Sequence, residues 1–297
     1  MNVFKLINLS VNSFSTIYTD HLQPFQSNSM KTIYRSFFFI TFTFIFVLMQ
    51  SNSVKAYDTS ADEKSASDPD RLNSLVEYFE SKNLDLKSLL EDSRFEIYDS
   101  IGDRFRNSAE RRTPTLEEYQ RILGFEDKKR RIGGFMENNS ETLQKAEEEY
   151  EIPGSVIAAI IGIESDFGQN IGSFNPLNAY VSMYSEDYRS DFARAQLEEL
   201  LIFTERKGID VFELKSSYAG AMSFAQFIPY SVNRWWVGDD IFDMDNNIYS
   251  IANYLKHFKE VTGTLEGAVF RYNPSSLYRD AVLALAAEAE KMVSASQ

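Results

Sequence analysis

The stretch IPGSVIAAIIGIESDFG, residues 152–168, decides how the chain is read. Pro153 suits a first helical turn, where a missing amide proton costs nothing, and Gly168 suits the stop. Between them Val156 to Ile163 carries no polar side chain. A helix that is apolar on every side is a buried helix. Glu164 follows Ile157, Ile160 and Ile161 at spacings of seven, four and three, so it shares an apolar face with them. A carboxylate there is costly unless it is paired, hydrogen-bonded or neutral. Burial and the negative end of the helix dipole both push its pKa upward, as a proton donor at neutral pH requires. A glutamate held by an arginine or capping a neighbouring backbone fits the same pattern, so the helix alone leaves its role open. Asp166 lies two residues on, nearly on the opposite side, and is no facing second carboxylate.

Working outward, helical periodicity runs through the rest of the chain. Leu75, Val76 and Phe79 form one stripe, and Leu86, Leu89 and Leu90 another. Thr115 with Glu118 makes a capping box, and Asn138 to Ser140 supply cap-type residues before Leu143 and Ala146. Leu197, Leu200 and Leu201 line a longer helix that Gly208 closes, and Ala281 to Val293 is a final helix. There is no internal repeat and no sustained strand alternation. The expectation is a mainly α chain forming one unit over 71–297, preceded by a polar leader at 57–70.

Residues 1–56 read as an N-terminal extension and export signal. Phe37 to Met49 is apolar apart from two threonines, follows Lys31 and Arg35, and leads to Val54-Lys55-Ala56. The run falls short of the roughly 20 apolar residues that span a bilayer, which disfavours the rival reading as an uncleaved anchor. Met30 opens the signal and is the expected true start. Cutting after Ala56 removes Lys5, Lys31, Arg35 and Lys55 against Asp20, so the remainder is more acidic than the whole chain, whose net charge is −14. Such a charge makes nucleic acid and anionic lipid poor candidates as partners, since both need dense Lys and Arg.

The residue inventory narrows the chemistry further. With no cysteine there is neither a disulfide nor an N-terminal cysteine to carry a lipid anchor. His21 lies in the removed segment and His257 stands alone in a helical stretch, so zinc pairs and a Ser-His-Asp triad are not supported. No cofactor motif is found. The acidic stretch 238–247 fails as an EF-hand begun at Asp243, because Ile248 and Tyr254 occupy the glycine and glutamate positions; it reads as a solvated loop. Proton transfer in this chain falls to carboxylates.

At this point several ordered motifs resemble the membrane-bound lytic murein transglycosylase B family. They are IIGIESDFG at 160–168, Gly172-Ser-Phe174, KSSYAGAM at 215–222, QFIP at 226–229, SIANYL at 250–255 and RYNPSSLY at 271–278. The resemblance covers roughly Leu116 to Glu290, with a fainter extension towards Arg71. It implies an α+β, lysozyme-like catalytic module and peptidoglycan glycan strands as the partner. It places the family's catalytic glutamate on Glu164, its helper serine and asparagine on Ser217 and Asn273, and groove-lining positions on Gln226, Tyr272 and Tyr278. The implied reaction cleaves the MurNAc–GlcNAc bond with formation of a 1,6-anhydro sugar, in the soluble, exported, periplasmic protein. A muramidase-type hydrolase using the same glutamate, and a non-catalytic glycan-binding scaffold, are the alternatives. Ser223 stands where the family usually has glycine, and a side chain there could narrow the groove. The segment between Leu255 and Arg271 is shorter than in many relatives.

Overall fold

The computed structural model describes residues 69–99, 101–106 and 115–295, all within one unit that spans Ala56–Gln297. The signal segment and nearly all of the leader lie outside the described residues. The elements are helical: α1 (Pro69–Glu80), α2 (Leu86–Glu91), α3 (Ile101–Arg106), α4 (Leu116–Ile122), α5 (Phe125–Asn138), α6 (Ser140–Tyr150) and α7 (Gly154–Ser165). They continue as α8 (Pro176–Ser185), α9 (Ser190–Lys207), α10 (Pro229–Trp235), α11 (Met244–Thr262), α12 (Leu265–Tyr272) and α13 (Ser276–Ala295). Among the described residues β structure is limited to three isolated antiparallel bridges, Phe174–Ser216, Ser216–Met222 and Met222–Phe227. The mainly α, lysozyme-like expectation holds.

Helix α7 is the axis of the fold. Every residue from Gly154 to Gly162 is buried, and α5, α6, α11 and α13 pack around it. Such a helix has no face for solvent, so its position is fixed by packing on all sides. Thr115 caps α4 by accepting from Glu118 N, and Gly208 closes α9 at φ 64°, as the sequence suggests.

The end of α7 differs from expectation. The helix stops at Ser165, before Gly168, because Asp166, Phe167 and Gly168 all adopt left-handed backbone, at φ 54°, 60° and 84°. Two of the three are not glycine, a conformation that costs about 1–3 kcal/mol per residue and needs support from outside. The support comes from α5. Asp166 accepts from Lys128 Nζ at 2.9 Å and from Arg131 Nη1 at 2.9 Å, and Arg131 Nη2 also binds the Asp166 carbonyl at 2.9 Å. The Phe167 ring folds back over Gly162, where a Cβ would meet it at 2.7 Å. Asp166 therefore lies beyond the helix and faces α5.

The acidic stretch is also more than a solvated loop. Asp243 caps α11 through Asn246 N, and Asn247 is fully buried. Its amide donates to the Ile241 and Asp243 carbonyls, while its oxygen accepts from Ala225 N at 2.9 Å.

Candidate active site

Glu164 lies one residue before the end of α7 and is half-buried, where the apolar face of the helix gives way to the left-handed turn. The Tyr278 hydroxyl donates to Glu164 Oε1 at 2.6 Å. Tyr278 sits in the first turn of α13, its amide bonded to Ser275 Oγ, and is 1% exposed. Burial, then the negative charge of Glu164, pushes its phenol well above the usual range, so it stays protonated and remains a donor. Tyr278, expected along the groove, holds the carboxylate through this bond.

Tyr272 stacks parallel to Tyr278, with centroids 6.5 Å apart and planes 6° from each other. Burial and the Glu164 charge keep its phenol protonated too, and its hydroxyl donates to the Ala225 carbonyl at 2.6 Å. Asn273 ends α12 in extended backbone, as a residue before proline must, and its carbonyl accepts from Ser275 N at 2.7 Å. The break at Asn273-Pro274 is what allows one tyrosine to close α12 and the next to open α13 with their rings parallel.

The facing wall is the loop from Ser216 to Phe227. Gln226 donates to the Ser223 carbonyl at 2.9 Å and the Ile171 carbonyl at 3.5 Å, tying the loop after α7 to this wall. Ser217 closes a turn: its amide donates to Ala221 O, its carbonyl accepts from Gly220 N, and its Oγ accepts from Ala221 N at 3.3 Å. Gly172 presses directly on this turn. At φ 85°, a Cβ there would lie 2.2 Å from the Ser216 carbonyl oxygen, so only glycine allows the approach.

Ser223 does not narrow the groove. It is fully buried at φ 68°, and its Oγ accepts from Ala225 N inside the turn. The positive φ explains why glycine suits this position; the side-chain bond is what serine has in return.

The structure thus brings Tyr278 onto Glu164, stacks Tyr272 on Tyr278, and seats Gln226 on the wall beside Tyr272. Ser217 and Asn273 stand on the flanking segments, each bonded within its own turn. Sequence reading missed the Lys128–Asp166–Arg131 cluster. Its only trace is the basic run at 128–131 in an acidic chain, and nothing local says which carboxylate that run meets. The Lys128 ammonium, more than Arg131, holds the Asp166 carboxyl below its usual range.

A buried helical axis thus ends in a tyrosine-held glutamate, and a small β-bridged wall carries Ser217 and Gln226. Residues 71–265 match the family model described as the transglycosylase SLT domain, more than half of the chain, and the chain belongs to that family. It is similar to the membrane-bound lytic murein transglycosylase B of Escherichia coli (strain K12), 31% identical over 136 residues, which are 43% of this chain and 38% of that protein. The match thus spans well under half the length of this curated relative. The crystal structure of soluble lytic transglycosylase SltB1 from Pseudomonas aeruginosa superposes with a TM-score of 0.67 at 26% identity, over 76% of this chain and 100% of that one. SltB3 from Pseudomonas aeruginosa, in complex with NAG-anhNAM-pentapeptide, gives 0.65 at 18% identity over 73% and 78%, which shows the shared fold.

Proposed function

We propose that this protein is an exported lytic transglycosylase that cleaves the β-1,4 bond between MurNAc and GlcNAc in peptidoglycan and leaves 1,6-anhydro-MurNAc ends. The observation that carries the reading is the Glu164 carboxylate, gripped by Tyr278 at 2.6 Å at the end of a buried helix, within a chain of the SLT family. Transglycosylase B and SltB1 are by their names lytic transglycosylases, and SltB3 was solved in complex with NAG-anhNAM-pentapeptide.

In this reading Glu164, protonated, gives its proton to the glycosidic oxygen as the bond breaks. The acetamido oxygen of the MurNAc ring stabilises the cationic anomeric carbon, and Ser217 and Asn273 orient that group. Glu164, now a carboxylate, takes the proton of the sugar's own 6-hydroxyl, whose oxygen closes onto the anomeric carbon. No water is consumed. Tyr278 is a positioning residue that keeps Oε1 in place through both transfers; Tyr272 and Gln226 shape the groove. Proton transfer contributes roughly 10²–10⁴ in rate, with charge stabilisation and positioning supplying the rest. No helix among the described residues is long and apolar enough to cross a membrane. Residues 1–56 as signal, 57–70 as leader and 71–297 as the catalytic module complete the proposal, with the protein soluble in the periplasm after cleavage.

Mass spectrometry of sacculi digested by the purified protein tests this. Anhydro-muropeptides are expected; products heavier by one water mean a hydrolase on the same site, and bound but uncut strands mean a scaffold.

A further inference from the structure

Ala225, in the wall loop, is held at both of its peptide groups by side chains from distant helices. Its N–H donates to Asn247 Oδ1 at 2.9 Å, from α11, and its carbonyl accepts from the Tyr272 hydroxyl at 2.6 Å, from the end of α12. Ser223 Oγ, at 3.2 Å, shares the same N–H from within the turn. Ala225 is fully buried, so neither peptide group has water to fall back on if these partners are lost.

The residue that follows is the strained one. Gln226 adopts φ 49°, a left-handed conformation that a non-glycine residue keeps only where its surroundings over-determine it. Asn247 is built to supply such support. It is fully buried, and its amide also donates to the Ile241 and Asp243 carbonyls at 3.1 and 2.7 Å. Three bonds to backbone leave its amide group one orientation, so it stands as a rigid strut between the acidic stretch and the wall.

We infer that Asn247 is a positioning residue: together with Tyr272 it clamps Ala225, and the clamp holds Gln226 in the backbone conformation from which it lines the glycan groove. This rests on the proposed reading of the site. Being fully buried, Asn247 acts on a glycan only through the wall, and Gln226 is the wall residue next to the clamp. An asparagine that served packing alone would contribute to stability and leave glycan binding untouched.

The test measures binding, so that it does not depend on turnover. The full protein carrying Glu164→Gln is titrated against soluble, uncrosslinked glycan strands, at a temperature where circular dichroism shows each variant folded. Asn247→Ala is expected to raise Kd about tenfold, the scale of one hydrogen-bonding contact displaced. Gln226→Ala should raise it as much, and adding Asn247→Ala to Gln226→Ala should raise it no further, since residues that act through one another do not add. Tyr272→Phe removes only the hydroxyl on Ala225 and gives a smaller rise, about threefold, that also vanishes beside Gln226→Ala. If Asn247→Ala does not fold, this second pair decides in its place. A lower melting temperature with Kd unmoved makes Asn247 a packing residue and overturns the inference, as do equal increments with and without Gln226. A parent protein, Glu164 intact, that releases no anhydro-muropeptides overturns the proposed reaction and leaves the binding comparison standing.

Discussion

Two turns frame Glu164, and both rely on left-handed backbone. After α7 the chain reverses through Asp166, Phe167 and Gly168; between Ser216 and Phe227 it reverses again with Gly220, Ser223 and Gln226 in the same region. The first is held by charge: Lys128, 7% exposed, and Arg131 converge on one carboxylate. The second is held by neutral groups, namely the amides of Ser217 and Ala225, the amide side chains of Gln226 and Asn247, and the hydroxyl of Tyr272. An ionic brace responds to pH and to loss of either partner, whereas the neutral wall responds chiefly to shape. Glu164, the proposed acid and base, is therefore seated beside the titratable turn.

Breaking the neutral wall by shape has the largest expected effect. Gly172→Ala forces a Cβ onto the Ser216 carbonyl oxygen at positive φ, with backbone on both sides. Thermal unfolding is expected to show a loss of about 3 kcal/mol or more, with activity falling further than stability. A melting temperature like that of the parent would mean the wall is not held this tightly.

Breaking the ionic turn comes next. Lys128→Met leaves Asp166 with Arg131 alone, and about 2 kcal/mol of destabilisation is expected, below the range for a fully buried pair because Asp166 is one-third exposed. The pH dependence follows from the depressed Asp166 carboxyl. A carboxyl whose folded pKa lies below its unfolded value, about 3.9, contributes stability that is complete above that pH and is lost as pH falls through the folded value. The difference in unfolding free energy between the parent and Asp166→Asn should hold at neutral pH and shrink in acid. A difference that stays constant down to pH 2 would remove the brace from the account.

The smallest change sharpens the comparison. Tyr278→Phe deletes one hydroxyl, the one on Glu164, with little change in packing. A stability change of about 1 kcal/mol and a kcat roughly tenfold lower at unchanged KM are expected. A raised KM with kcat intact would return Tyr278 to the groove as a substrate contact.

Much of the frame was legible in the sequence for physical reasons. The apolar run of α7 admits only a buried helix, and the Thr115 cap and the Gly208 stop are local signals that local structure obeys. One neighbour of Glu164 was among the residues the ordered motifs pointed to, since Tyr278 bonds it and Tyr272 stacks on Tyr278. The end of α7 was not. Gly168 looked like the stop, but the stop is set at Asp166 by residues 35 and 38 positions earlier, a pairing no local pattern carries. Ser223 misled similarly. Which way a side chain turns depends on backbone φ, and a positive φ at serine leaves no mark in the sequence.

The central claim is that Glu164 does the chemistry and that its surroundings only hold it. Glu164→Gln keeps shape and hydrogen bonding while removing the proton-transfer group, so it should unfold like the parent, bind sacculi equally well, and release no anhydro-muropeptides. Equal release of products by the variant and the parent would contradict the account and send the search for the acid elsewhere in the groove.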